Sequence, residues 1–505
     1  MLIGLPLAAL LVLAPAGAAS ATDSVASSWA KLAAADVGAF CRDIRGVHPG
    51  MVDPLSPSFA KQVDRACEVA AERSRNAGSF LDWMEIMQAL VTSFRDGHTG
   101  IAFTVLPAQL RWPGFLIDGR RGRWVVRRPA NAVAPDSLPP EGAELVSCDA
   151  QPAEEFLEQQ LDQKTVDWSK EPERIRQAFR AFTTYRLDGP APAKECRFRM
   201  GGRVVDVPLE WRPISTVAMQ PLLAPFLRRG ASSRPIDVGF APDRRAWVQI
   251  GNFKDETTLK ALEARLLAEQ ARLRAAPYVV FDLRGNGGGN STWGERFASI
   301  LWGAEMVEGR RLAEQSSNPA DHGKFWRRSK VAAAKMHAAG AEYAAQGPDF
   351  ADIARYWREL GDTIAAATED GLYQDECCRP KPRPSLVPKP RYTGKVFVVT
   401  DAGCFSSCVV VMNTLRRMGA IQVGEASGQN EVFGESVGPF NLPSSLGWYR
   451  IPVSIIRQPR SSLGGLPPDI AWSGAMDDDD GLRAFIARLS REARPRSATT
   501  SSRAP

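Results

Sequence analysis

Histidine is scarce in this sequence: four stand among 505 residues, at His48, His98, His322 and His337. Chemistry that needs an imidazole base near neutral pH has only these to draw on. Lysine is absent after Lys395, so the last fifth of the chain offers no amine base. No Gly-Lys-Ser/Thr follows a glycine-rich loop, which excludes a phosphate loop. No basic stripe with interleaved aromatics is present. The 63 Lys and Arg are mixed among 57 Asp and Glu, for a net charge of +6, so nucleic acid is not an expected partner. Beyond the first 21 residues no segment is long enough, without charges, to span a membrane. The cysteines lack a second Cys or His pair at ligand spacing, which argues against zinc.

What is present begins with an uncharged leader. Leu2 to Ala14 is apolar, and after Pro15 small residues run to Ala19-Ser20-Ala21. This is the pattern of a cleaved secretory signal, residues 1–21, although its basic start is missing; an uncleaved anchor is the alternative. The expectation is export to the periplasm or the medium, with no membrane span after cleavage. In that setting the eight cysteines are expected to form disulfides. Cys41 with Cys67 and Cys148 with Cys196 each fall within one region. Cys377 and Cys378 are adjacent, and Cys404 and Cys408 flank Ser406. Chain order leaves the pairing open.

The length implies two or three domains. Residues 22–105 read as helical, with apolar residues at three- and four-residue spacing over Ser58 to Arg75 and Ser79 to Phe94. A turn at Asp96-Gly97-His98-Thr99 leads into the strand-like Gly100-Ile-Ala-Phe. Residues 106–215 are rich in short β-like runs, including Trp124-Val-Val and Ala143-Glu-Leu-Val. From 236 to 490 strands and helices alternate, which implies an α/β core. Residues 305–392 read as an insertion in it, and 491–505 as a disordered tail. Asp477 to Asp480 precede an amphipathic run, as acidic residues at a helix start do.

Two segments of the core carry chemistry. The strand-like Tyr278-Val-Val-Phe-Asp282 opens into Arg284-Gly-Asn-Gly-Gly-Gly-Asn290. A dinucleotide site would need its last glycine at Asn290, so that reading fails. What remains is a loop whose backbone N–H groups can approach a ligand closely, as in an oxyanion hole. Further on, Lys395-Val-Phe-Val-Val-Thr leads through Cys404-Phe-Ser406-Ser-Cys408 into Val-Val-Val-Met-Asn-Thr-Leu, a strand, turn and helix. A serine at such a turn lies beside the unpaired N–H groups of the first helical turn. The bland reading of a serine there is an N-cap.

Taken together, Asp282-Leu-Arg-Gly-Asn-Gly-Gly-Gly, Gly403-Cys-Phe-Ser-Ser-Cys, Gly424-Glu425 and Gly464-Gly-Leu-Pro-Pro-Asp469-Ile resemble the S41 family of serine peptidases, the tail-specific or C-terminal processing peptidases. The likeness covers roughly 240–300 and 393–475. It implies a crotonase-like core of the ClpP type and a nucleophile at Ser406. It also implies oxyanion donors at the backbone N–H of Ser407 and Gly288, and a polypeptide substrate with no metal or organic cofactor. Pro140-Glu-Gly-Ala-Glu-Leu-Val-Ser-Cys-Asp resembles one segment of a PDZ domain, so a degenerate PDZ-like domain over 106–215 stands beside a plain packing role.

The chain departs from the family's best-known branch, which places a lysine base about two dozen residues after the serine. Here Gln429 stands near that place, and an amide cannot take a proton. Phe94-Arg-Asp-Gly-His98-Thr instead resembles the Asp-x-His-Thr of the histidine-using branch, where the histidine is the base. His48 sits in a turn, and His322 and His337 fall in the polar insertion. Glu435 is the preferred carboxylate to orient His98, with Glu425 and Asp96 as alternatives. The expected reaction is peptide hydrolysis through an acyl-enzyme. The rivals are a small ester or amide hydrolase on the same site and an inactive binding protein.

Overall fold

Unbroken apolar runs build the centre of the molecule. Tyr278–Asp282 is buried at every position, and Lys395–Thr400 at all but its first. Parallel strands are covered on both faces, so no polar alternation is expected of them. These two pair in parallel in the middle of a six-stranded sheet. Its order is Ile236–Phe240, Ala246–Ile250, Tyr278–Asp282, Lys395–Thr400, Ile421–Gly424, Ile470–Ala471, and only the first strand runs antiparallel. Leu259, Phe297, Val411 and Leu415, from the helices Glu256–Ala268, Thr292–Trp302 and Ser407–Arg417, pack in one core beside it. Leu482 and Ile486 of Asp479–Arg491 pack with Trp247, Val280, Phe397 and Val423 in a second. Asp478 caps that last helix through its side chain, which places the acidic run at a helix start.

This computed structural model describes residues 18–492, except 121, 129–137, 163, 165, 228–233, 314–322, 376–387, 429–431 and 458–464. Most of the expected signal, the tail from 493, Cys377, Cys378, His322 and Gln429 lie outside the described residues. Among the described residues no helix is long and apolar enough to cross a membrane.

A second, antiparallel sheet brings the distant parts of the chain together. Gly447–Arg457 pairs with Gly100–Phe103, with Gly323–Arg328 and with Phe433–Asn441, and Gly371–Gln374 extends the sheet. The helices Ala18–Val47, Phe59–Ser74 and Phe80–Thr92 pack against it. So do Lys330–Ala345 and Ala351–Ala365 from the segment read as an insertion. Trp326, Met336, Trp357 and Leu360 of that segment share one buried cluster with Phe40, Trp83 and Tyr449. Gly323–Arg328 and these two helices therefore pack with the N-terminal helices, whereas Met306 and Val307 pack beside the central sheet. The alanines of the two helices hide an apolar face that has a partner far away in sequence.

Residues 116–208 form a third, antiparallel sheet from Leu116–Arg120, Arg123–Arg127, Glu144–Cys148, Gln151–Pro152, Glu195–Met200 and Arg203–Pro208. The helix Ala153–Leu161 packs Phe156 and Leu157 into its core. Gln109–Trp112 pairs with Arg212–Ser215, so the chain enters and leaves this unit side by side. Among the described residues three disulfides are made: Cys41–Cys67 between two helices, Cys148–Cys196 between neighbouring strands, and Cys404–Cys408 across Ser406.

Candidate active site

The site lies at the carboxyl ends of the two central parallel strands, where open α/β sheets hold their ligands. After Asp282 the chain turns into the glycine loop. Arg284, 1% exposed, is clamped by both oxygens of Asp282 and by the carbonyl of Met476, and pairs with Asp479. After Thr400 the chain turns into Asp401, whose carboxylate accepts the N–H groups of Gly285 and Gly403. One buried side chain thus ties the glycine loop to the serine turn. Phe405 N–H adds a second tie, to Asn286 O at 3.1 Å.

Ser406 opens the helix Ser407–Arg417 with φ 57° and ψ −129°, and its side chain makes no capping bond. Those angles match the first central position of a type II′ turn, which favours glycine. A serine there costs about 1–3 kcal/mol of backbone strain, and such strain persists only where its surroundings over-determine it. The N-cap reading therefore does not describe Ser406. Its hydroxyl is turned outward, as in a nucleophile elbow. Gly434-Glu435-Ser436-Val437-Gly438 has the Gly-x-Ser-x-Gly spacing of α/β-hydrolases, but it lies within the strand Phe433–Asn441. Ser436 Oγ donates to His98 O at 2.8 Å from extended chain, not from a strand-to-helix turn.

His98 stands 308 residues before Ser406 in sequence, yet its Nε2 is 3.1 Å from Ser406 Oγ. The pairing of Gly100–Phe103 with Gly447–Arg457 anchors the segment just after the histidine. Its ring is 6% exposed and lies 4.7 Å from that of Phe405. Asp96 shapes the loop: it accepts His98 N–H at 2.9 Å, Thr99 N–H at 3.1 Å and the Thr99 hydroxyl at 2.7 Å. Behind Asp96 lies His48, fully buried between Phe59 and Phe433, with Nε2 3.6 Å from Asp96 Oδ2. His48 Nδ1 accepts Gly50 N–H at 3.0 Å, so Nε2 carries the proton that faces Asp96. Burial pushes the His48 imidazole down against the pull of Asp96. Burial would raise the Asp96 carboxyl, but His48, with His98 and Thr99, holds it well below the usual carboxylate range.

Glu435 lies on the strand beside this loop, and its Oε1 meets Lys324 Nζ at 2.8 Å. Burial would raise its carboxyl; the Lys324 ammonium outweighs that and lowers it, and His98 adds in the same direction. Glu435 is therefore a carboxylate held by the Lys324 ammonium and close enough to His98 to interact with it. Glu425 is bound elsewhere, accepting Ala402 N–H at 3.2 Å, and helps hold the strand end. His337 bonds Asp362 in the segment 305–392. Lys324 and Asp401 were not singled out from sequence. Lys324 sits in the segment read as an insertion, and a lone Asp after a strand carries no signal of its own.

The two expected oxyanion donors differ. Ser407 is the first residue of its helix, so its N–H has no partner within the helix. Gly288 N–H donates to Asn286 Oδ1 at 2.9 Å and is not left open beside the serine. Gly288 is nonetheless against Ser406: a Cβ on it would lie 2.8 Å from Ser406 Cβ.

Residues 244–470 match the sequence model of peptidase family S41. No curated protein sequence is recognisably similar to the chain. Among solved structures, mature CPAF superposes with a TM-score of 0.57 at 13% identity, over 92% of this chain and 97% of that one. Mature CPAF complexed with lactacystin gives 0.55 at 13% identity, over 92% and 98%. The photosystem II D1 C-terminal processing protease aligns over 88% of this chain and 93% of its own at 12% identity, with a TM-score of 0.35. At such identities the CPAF likeness speaks for the fold, and the family match for the catalytic class. Residues 244–470 thus carry a domain of the peptidase family S41 type, and the chain is a serine-type peptidase.

Proposed function

We propose that the chain is an exported peptidase that cleaves peptide bonds through an acyl-enzyme on Ser406, with His98 as general base. The observation that carries this reading is the 3.1 Å approach of His98 Nε2 to Ser406 Oγ at a strained strand-to-helix turn. In the attack, Nε2 takes the hydroxyl proton as Oγ bonds to the scissile carbonyl carbon. The imidazolium then gives that proton to the leaving amine, and water repeats the cycle to release the acid. The Ser407 N–H receives the oxyanion, joined by Gly288 N–H as the new oxyanion competes with Asn286 Oδ1 for it. Glu435 supports the imidazolium through its charge, while Asp96 holds the loop backbone. The described disulfides support an oxidising compartment, periplasmic or extracellular. The unit we read as PDZ-like, residues 106–215, contains the sheet of residues 116–208.

Turnover of a peptide library beside a short p-nitrophenyl ester tests the substrate class. The proposal expects cleavage of peptides, abolished in Ser406→Ala. Ester turnover with no peptide cleaved would point instead to a small-ester hydrolase.

A further inference from the structure

Ser406 is the only residue of its turn in a left-handed conformation, and the two residues on either side of it at a distance of two are joined. Cys404 and Cys408 form a disulfide with a sequence separation of 4. Both are 0% exposed and belong to the core under the central sheet. The hydrogen bonds of the turn hold its two limbs separately. On the near side, Cys404 N–H donates to Asp401 O at 3.0 Å and Cys404 O accepts the N–H of Gly428. On the far side, Cys408 N–H donates to Phe405 O at 3.1 Å and Val409 N–H to Ser406 O at 2.8 Å. The bridge is the covalent link between these limbs.

Global stability does not account for such a bridge. In the chain-entropy account, a disulfide stabilises more the longer the loop it closes. Cys41–Cys67 and Cys148–Cys196 close separations of 26 and 48, while this one closes 4. Its effect is therefore local. The atoms it constrains are the Oγ that attacks and the Ser407 N–H that receives the oxyanion, both within two residues of a bridged sulfur. Strain of the kind seen at Ser406 relaxes when its constraints are removed.

We infer that Cys404 and Cys408 are positioning residues for the nucleophile, so that the peptidase works at full rate only with this bridge oxidised. The inference rests on Ser406 being the nucleophile. Opening the bridge takes a dithiol reductant: its thiolate attacks one sulfur, the S–S bond breaks, and a mixed disulfide forms. Its second thiol then closes to a disulfide. Two electrons and two protons pass to Cys404 and Cys408, which end as thiols. Because both sulfurs are buried, reduction proceeds through local opening of the turn.

The test uses the full chain and the double variant Cys404→Ala/Cys408→Ala. A displacement of reacting groups by about 1 Å costs on the order of a hundredfold. A kcat loss of about tenfold to a hundredfold, with KM within about twofold, is therefore expected. The rate of fluorophosphonate labelling should fall by the same factor as kcat. Dithiothreitol should reproduce the loss in the wild type, reoxidation should restore it, and the double variant should not respond. The inference is overturned if the variant keeps wild-type kcat, or if reductant lowers both proteins alike. Should the variant fail to fold, alkylation of the partly reduced wild type decides by mass spectrometry. Lost activity must track modification of Cys404 and Cys408; tracking of Cys41, Cys67, Cys148 or Cys196 instead overturns it. A wild type that is never labelled contradicts the Ser406 reading itself, whereas a labelled wild type with an unimpaired variant contradicts this inference alone.

Discussion

Placing one methyl group on Gly288 should disable the enzyme while leaving it folded. The Cβ of Gly288→Ala would lie 2.8 Å from Ser406 Cβ, 3.0 Å from Phe405 O and 3.1 Å from Ser407 N. Carbon atoms in contact ordinarily sit about 3.5–4.0 Å apart, so the pair must separate by about 0.7 Å or more. The glycine is held from behind: its carbonyl accepts Phe253 N–H at 3.0 Å, and its N–H donates to Asn286. The yielding side is therefore Ser406, already in a strained turn. A shift near 1 Å at reacting atoms costs on the order of a hundredfold, and that is the expected fall in kcat. Gly288 also has φ +99°, so an alanine there costs about 1–3 kcal/mol of stability. Gly122→Ala separates the two effects. Its φ is +68° and a Cβ there meets nothing within 4 Å, so it should lose stability and keep kcat. Steady-state turnover of a peptide substrate and thermal melts of both variants are the assays. A Gly288→Ala enzyme with kcat within threefold of wild type, or a Gly122→Ala enzyme equally impaired, would refute the reasoning.

Four other substitutions probe the histidine loop. His98→Ala should lose on the order of a thousandfold in kcat/KM, as triad members do, and a loss below about tenfold would remove it as the base. Lys324→Met leaves the Glu435 charge uncompensated, favours the His98 imidazolium, and should move the acidic limb of kcat/KM to higher pH. Glu435→Gln should move that limb to lower pH; profiles that superpose on wild type would show that this carboxylate does not act on His98. His48 is lowered by burial, so below about pH 6.5 the unfolded chain takes up a proton that the folded chain does not. Its contribution to stability is complete above that pH and is lost on acidification, at up to ~1.4 kcal/mol per pH unit. Denaturant melts between pH 7.5 and 5.5 should show a shallower loss in His48→Gln, and equal slopes would contradict the assignment.

The parts of the fold with local signals were readable in the chain. Tyr278–Asp282 and Lys395–Thr400 are buried parallel strands, and their apolar runs announce them without any partner in view. The helices Phe59–Ser74 and Phe80–Thr92 follow from three- and four-residue spacing. Cys41–Cys67 and Cys148–Cys196 join cysteines that the sequence places in one region each; Cys404–Cys408 had no such mark, because a separation of 4 resembles a helical repeat as much as a bridge. The packing of the segment 305–392 was not legible, for a physical reason. Its alanines and charges describe an exposed helix pair, and only the antiparallel pairing of Gly323–Arg328 with Gly447–Arg457 brings that pair against the N-terminal helices. That same pairing brings Lys324 to Glu435, a contact across 111 residues with no sequence mark. Ser406 and His98 were nameable from their motifs, but their 3.1 Å approach is a property of the folded sheet. The engagement of Gly288 N–H by Asn286 was equally out of reach, since it depends on a side-chain rotamer within the loop.

Of the two adjacent serines, Ser406 is the one expected to attack. Labelling with a fluorophosphonate, followed by mass spectrometric mapping of the modified peptide, tests it most directly. The adduct is expected on Ser406, lost in Ser406→Ala, slowed on the order of a thousandfold in His98→Ala, and kept in Ser407→Ala. An adduct on Ser407 or elsewhere, or a wild-type protein that takes no label, would contradict it.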